Sequence, residues 1–368
     1  MAERNAPLED EIRRLIGVAG AMPLAEYMRL CLTHPRYGYY VTRDPLGARG
    51  DFITAPEISQ MFGELIGLWM AAVWRQMREP ADVRVVELGP GRGTLLVDAL
   101  RAAKRLPAFY EAIVLHLVEI SPALRKQQES RIDKLGVPVL WHDTLDEVPA
   151  GASIVIANEF VDALPVRQAV KADDGWHERL IDIGPEGDLV MTAARDPLPH
   201  FATALPRALR SAPIGSIYEW RADDLALELG RRMRENGAAL IIDYGHDRCG
   251  LGDTLQAVAA HRFTDPLRAP GTADLTAHVD FEALGQCAES MGARVHGPIR
   301  QREFLLQLGV ERRAAALKAA APLKAAEIES ALSRLLAEGP RGMGDLFKAV
   351  AIAAPKLGAL PGFEAVPS

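Results

Sequence analysis

The chain has 368 residues, 49% of them apolar, and a net charge of -7. That length can bury a large core, as one domain with insertions or as two domains. The mixed-sign, mildly acidic balance advertises no basic face for nucleic acid, and the widely spaced Cys31, Cys249 and Cys287 make neither a disulfide framework nor a Cys-x-x-Cys metal knuckle.

The first residues carry Glu3, Glu9, Asp10 and Glu11, too acidic for a mitochondrial presequence and without a signal peptide's apolar core. No apolar run reaches membrane-spanning length, so a bacterial cytoplasm is the expected address. From Leu8 to Leu32, apolar residues including Ile12, Ile16, Leu24, Met28 and Cys31 recur at helical spacing, which predicts helix. A loop rich in glycine and aromatics follows from His34 to Val41, and then Gly47 to Phe52. Thr54-Ala-Pro-Glu57 reads as a helix start, with a threonine cap, an early proline and a glutamate three residues on. The helix it opens carries Ile58, Phe62, Leu65, Ile66, Trp69 and Val73 on one stripe. Residues 1–80 therefore form a helical N-terminal segment ahead of the first core strand.

Val83-Arg-Val-Val-Glu-Leu-Gly-Pro-Gly-Arg-Gly-Thr-Leu-Leu96 is the most informative run. A β-branched strand ends in Glu87, turns through Gly89, Pro90, Gly91 and Gly93, and enters a helix, the layout that cradles an adenosyl or phosphate-bearing cofactor. No glycine stands three residues after Gly91, where a dinucleotide fingerprint needs one. The spacing is closer to the S-adenosylmethionine loop of Rossmann-like methyltransferases. Beyond it, strands at Ile113–Ile120, Val137–His142 and Ser153–Asn158 alternate with helices near 94–104 and 122–134, which argues a parallel sheet with helices on both faces. Short strands at Val166–Ala172, Trp176–Ile183 and Leu189–Thr192 read instead as antiparallel ribbons, a β-rich insertion at about 166–220. A helix from Ala222 to Asn236, capped by Gly237, leads to the buried strand Ala238–Tyr244. Further α/β material completes the chain: Phe281–Met291, Val295–Ile299, a helical tract from Arg302 to Leu335 broken at Pro322, and a strand near Leu346–Ile352.

Several polar residues fall where such a sheet places chemistry. Glu119, followed by Ile120, ends the second strand, where a carboxylate accepts hydrogen bonds from both ribose hydroxyls. Asp143 ends the third, either at the position that commonly meets an adenine amino group or as a plain loop aspartate. Asn158-Glu159-Phe-Val-Asp162 follows the fourth, beside the cofactor's reactive end. Its amide and two carboxylates suit a cationic nucleophile such as arginine, whose guanidinium a carboxylate holds bidentately. Gly50 to Glu64 reads either as a connector or as a glycine-hinged loop closing over the cofactor, which would bring in Thr54 and Glu57. Ile241-Ile-Asp-Tyr-Gly245 and Asp274-Leu-Thr-Ala-His-Val-Asp280 are dense in polar groups without metal-ligand spacing, and no metal is expected. The absence of a Gly-x-Ser-x-Gly elbow or a P-loop argues against hydrolase and NTPase.

Taken in order, Gly38-Tyr-Tyr40, Gly50-Asp-Phe, Thr54 to Glu64, Glu87 to Gly93, Asn158 to Pro165, Ile242 to Gly245 and Asp274 to Phe281 resemble the mitochondrial complex I assembly methyltransferase family and its bacterial relatives, also called the mitochondrial dysfunction protein A family. The likeness runs from about residue 10 to the last strand. It implies an α/β, Rossmann-like class I S-adenosylmethionine-dependent methyltransferase over residues 81–368. It also implies methylation of arginine on a protein substrate, in mitochondrial members a complex I subunit. On this resemblance Gly89, Gly91, Gly93 and Glu119 look like S-adenosylmethionine contacts, and Asn158, Glu159 and Asp162 look like the substrate pocket; Glu87, Pro90, Ile120, Asp143, Thr54 and Glu57 are the further residues expected at the cofactor. Val161 departs from the pattern where a second aromatic is common. Two rival readings share the fold: a non-catalytic S-adenosylmethionine-binding assembly chaperone, and a small-molecule methyltransferase. A homodimer is admitted but not required.

Overall fold

The computed structural model describes residues 6–42 and 54–364, so the expected loop Gly47–Phe52 lies outside the described residues. The chain divides into two compact units. One comprises residues 1–52, 162–222 and 248–280, the other 53–161, 223–247 and 281–368. The boundary after residue 52 assigns the helix Gln60–Gln76 to the second unit.

The second unit is built on strands β1 (Val83–Leu88), β2 (Ile113–Val118), β3 (Val139–His142), β4 (Ser153–Asn158), β5 (Gly237–His246), β6 (Arg294–Arg300) and β7 (Phe347–Ala353). They lie in the order β6-β7-β5-β4-β1-β2-β3. Neighbours from β3 to β5 pair in parallel, as the strand–helix alternation predicts, and β7 runs antiparallel to both β5 and β6. Both faces of β1, β4 and the first seven residues of β5 are almost wholly buried, the reason these strands read as unbroken apolar runs. The chain leaves β1 toward β2 and leaves β4 toward β5, in opposite directions. The loops beyond these two adjacent strands therefore open a crevice at the carboxyl edge.

Against this sheet pack the helices Gln60–Gln76 and Thr94–Ala103. A Cβ on Gly67 would stand 2.4 Å from the Ala99 carbonyl oxygen, so the two helices touch backbone to backbone at a place that admits no side chain. Three expectations about helix ends need correction. Thr54 makes no side-chain cap; its carbonyl closes the short helix Ala55–Ile58, and Ser59 then starts the longer helix by accepting from the Met61 amide. Gly237 is not a left-handed cap but the first residue of β5, glycine because a Cβ there would lie 2.5 Å from the Ser153 carbonyl oxygen. The late helical tract breaks at Gly309 as well as near Pro322.

The first unit draws on three separate stretches of chain. Helices Ala6–Ala19 and Leu24–Thr33 replace the single helix expected over 8–32, because Gly20 turns at φ +88° and Pro23 precedes the second start. They bury Leu8, Ile12, Tyr27, Met28 and Cys31 together with Val166, Ile181 and Leu275. Strands Met22–Pro23, Trp176–Ile183, Val166–Lys171 and Ile217–Arg221 form an antiparallel sheet in that order, with Leu189–Ala193 also on Trp176–Ile183. Three further strands, Gln256–Ala259, Arg262–Thr264 and Asp274–Thr276, make a small antiparallel sheet that the polar sequence there conceals. Of the three cysteines, Cys31 is fully buried, whereas Cys249 and Cys287 are half-buried.

Candidate active site

The glycine loop continues the ladder before it turns: the Gly89 amide donates to the Val118 carbonyl at 3.0 Å. Gly89, Gly91 and Gly93 then take φ of +60°, +52° and +75°, the left-handed region where a Cβ is costly. At Gly89 the need is also steric. A Cβ would meet the Phe160 ring at 2.7 Å, so the loop after β4 lies directly on the loop after β1.

Glu119 leaves β2 nearly buried, one carboxylate oxygen accepting from the Ser121 amide at 2.8 Å and the other from Gln128 at 3.3 Å. The same Gln128 amide donates to the Gly91 carbonyl at 2.7 Å, and its oxygen accepts from the Trp141 indole at 2.9 Å. Gln128 thus ties the glycine loop, the acid and the third strand together from a fully buried position. Sequence reasoning missed it; a glutamine among charged neighbours on a surface-facing helix gives little sign of burial. Ile120 is 41% exposed, a partly open apolar side chain beside Glu119. Asp143 lies at the end of β3, largely exposed and paired with Arg125, which also donates to the carbonyls of Glu119 and His142.

At the helix that follows the loop, the Thr94 hydroxyl donates to Glu57 at 2.5 Å and accepts from Arg131 at 2.9 Å. A carboxylate therefore stands at the helix N-terminus, where a dinucleotide enzyme seats its pyrophosphate.

Glu87 is buried, and its Oε2 has no hydrogen-bond partner among the described residues. Burial, with the Glu119 charge adding to it, pushes the Glu87 carboxyl up to about 8. On the adjacent strand, Asn158 Oδ1 is likewise buried and without a partner among the described residues. A buried carboxyl and a buried amide oxygen without described partners, at the carboxyl ends of β1 and β4, are an incomplete arrangement that polar groups of a ligand would complete. The glycine turn and the Glu119 carboxylate beside them fit an adenosyl cofactor.

Glu159 has φ +50° and accepts from the Ala55 amide at 3.2 Å and from the Asn158 side chain at 3.3 Å. The Thr-Ala-Pro-Glu and Asn-Glu-Phe motifs are therefore joined directly. Asp162 begins the first unit's second stretch. It is buried, and its carbonyl accepts from Ala277 and Arg221. Within that unit the Tyr40 hydroxyl donates to Asp274 at 2.7 Å, and burial, followed by the charges of Asp274 and Asp162, holds the Tyr40 phenol well above its usual range.

A family model described as a putative S-adenosyl-L-methionine-dependent methyltransferase matches residues 65–299. The protein arginine methyltransferase NDUFAF7 homolog, mitochondrial, of Drosophila melanogaster is 38% identical, covering 95% of this chain and 85% of the relative. Protein arginine methyltransferase NDUFAF7, mitochondrial, of Homo sapiens is 37% identical over 94% of this chain and 84% of its own. A likely methyl transferase from Burkholderia thailandensis, solved bound to S-adenosyl-homocysteine, superposes with a TM-score of 0.84 at 27% identity, covering 97% of this chain and 94% of that one.

Proposed function

Since the chain belongs to the S-adenosyl-L-methionine-dependent methyltransferases, we propose that it methylates an arginine side chain on a protein substrate. The observation that carries this reading is the buried, unsatisfied Asn158 Oδ1 beside the Glu159 carboxylate. An unmet buried acceptor costs about 1–3 kcal/mol until a donor arrives, and guanidinium offers five N–H donors together with a positive charge. The names of the mitochondrial relatives point the same way.

Glu87, Gly89, Pro90, Gly91, Gly93, Glu119 and Ile120 would hold the cofactor, with Asp143 toward the adenine and Thr54 and Glu57 closing the side next to Thr94. Bound there, S-adenosyl-L-methionine supplies an electrophilic methyl group whose bonding electrons leave with sulfur. Glu119 orients the ribose through its carboxylate. Glu159 and Asp162 hold the guanidinium and draw its charge toward the nitrogens they bind, leaving the remaining nitrogen the better nucleophile. As that nitrogen forms its bond to carbon it sheds a proton, which a carboxylate accepts and passes to water. The acids thus work as clamp and base.

The test is transfer of labelled methyl from S-adenosyl-L-methionine to arginine-bearing proteins, followed by hydrolysis and identification of the labelled amino acid. Methylarginine supports the proposal; label confined to a small molecule, or cofactor binding without any transfer, overturns it. A core subunit of respiratory complex I is the first substrate to try, with the bacterial cytoplasm as the site of action.

A further inference from the structure

Three consecutive amides leave β4 facing β5. The Glu159 amide donates to the Ile242 carbonyl at 2.9 Å, and those of Phe160 and Val161 both donate to Asp243 Oδ2, at 3.2 and 2.8 Å. Asp243 Oδ1 takes the Tyr244 amide at 2.9 Å, and the residue has no exposed surface. A carboxylate suits this place, since three amide N–H groups point at its two oxygens. A carboxamide would turn its own N–H toward one of those donors. The bonds also matter conformationally. Glu159 sits at φ +50°, and a residue with a Cβ keeps such a backbone only where its surroundings over-determine it.

In the other unit the same segment is held by a cation. The Arg221 guanidinium donates to the carbonyls of Asp162 at 3.0 Å, Leu164 at 3.2 Å, Ala277 at 2.6 Å and His278 at 2.7 Å. The Ala277 amide donates back to the Asp162 carbonyl at 3.1 Å. So an anion grips the amides of residues 160 and 161, and a cation grips the carbonyls of residues 162 and 164.

We infer that Asp243 and Arg221 are positioning residues for methyl transfer: Asp243 orients Asn158 and Glu159, and Arg221 orients Asp162, each through the backbone and without touching substrate. The inference rests on the proposed roles of those three residues.

The experiment uses the full chain with Asp243→Asn and Arg221→Lys, reading S-adenosylhomocysteine affinity by calorimetry, amide exchange across residues 158–165, melting temperature, and the kinetics of transfer to an arginine-containing protein. Amide exchange in the segment should quicken at least about tenfold. The KM for S-adenosylmethionine and the affinity for S-adenosylhomocysteine should stay within about threefold while kcat falls about 100-fold, the usual scale for a misplacement near 1 Å. Unchanged exchange in the segment overturns the inference. So does a loss of kcat matched by equal losses of cofactor affinity and melting temperature, the mark of a merely structural role. Should Asp243→Asn fail to fold, the wild-type amides of Phe160 and Val161 decide for that residue. Exchange slowed at least about 1,000-fold supports it, and exchange at open-loop rates overturns it. If the wild-type chain methylates no arginine, the proposed function fails, while exchange and cofactor affinity still judge the positioning.

Discussion

The cofactor cradle and the acid-bearing segment after β4 lie side by side in the crevice but are held by different means. The cradle is assembled from near neighbours: Gln128 reaches the Gly91 carbonyl across 37 residues of chain, and Glu119 finds its partners within 9. The segment from Asn158 to Pro165 is fixed from afar, by Ala55 at a separation of 104 residues, Asp243 at 82 and Arg221 at 59. On the proposed roles, most of the cofactor contacts would be a local property of one βαβ stretch, whereas alignment of the acids would depend on strands and loops elsewhere. The two should be separable by mutation.

The largest effect is expected where the two regions touch. Gly89→Val asks a β-branched residue to adopt φ +60° and drives its Cβ into the Phe160 ring. S-adenosylhomocysteine affinity should drop at least about 1,000-fold by calorimetry; a Kd near wild type would break the account of the cradle. Next, Glu159→Gln combined with Asp162→Asn should lower kcat by about 100-fold or more while leaving S-adenosylhomocysteine affinity within about threefold. Full retained activity would remove both acids from the proposed roles.

Glu87 gives the cradle a pH dependence of its own. Its folded-state pKa of about 8 lies above the ordinary 4.5, so the folded chain binds this proton more tightly than the unfolded one. The stabilisation is complete below about pH 4.5, declines as pH rises, and is gone above about 8, a span of a few kcal/mol. His116, pushed down to about 4 by burial, slopes the opposite way between 4 and 6.5. The difference between wild type and Glu87→Gln in denaturant melts isolates the carboxyl, and a flat difference between pH 5 and 8 would contradict its burial. Smaller still, Gln128→Ala should weaken S-adenosylhomocysteine about tenfold by freeing the Gly91 carbonyl and Glu119. Exposed Asp143→Ala should change affinity by no more than about threefold, and a large loss there would sharpen the adenine contact.

The same contrast governs what could be read in advance. The strands Val83–Leu88, Ile113–Val118 and Ser153–Asn158 announce themselves because each is almost wholly buried and reads as an apolar run, while Val139–His142, at the edge and partly exposed, is marked by its place in the strand–helix alternation. Glu119 and the three glycines are recognisable because their roles depend on position at a strand end. Asp243 and Arg221 are not, since the partners described for them are backbone atoms, which leave no mark in sequence, and Gln128 is not, since it meets Gly91, Glu119 and Trp141 only once the loop and strands are packed. The motif at Ile241 to Gly245 could be seen to end a buried strand in an acid. What that acid holds could not.

The sequence by itself thus determined the α/β architecture, the glycine turn after the first core strand and the acids at the ends of its neighbours, because periodicity, glycine spacing and strand-end position are local. The tertiary structure alone decided that Phe160 rests on Gly89, that Glu57 occupies the helix N-terminus, that the Asp243 carboxylate takes the amides of Phe160 and Val161, and that the Arg221 guanidinium takes the carbonyls of Asp162 and Leu164. Those are encounters between residues far apart in the chain, and only the closed sheet and the folded units bring their atoms within bonding distance.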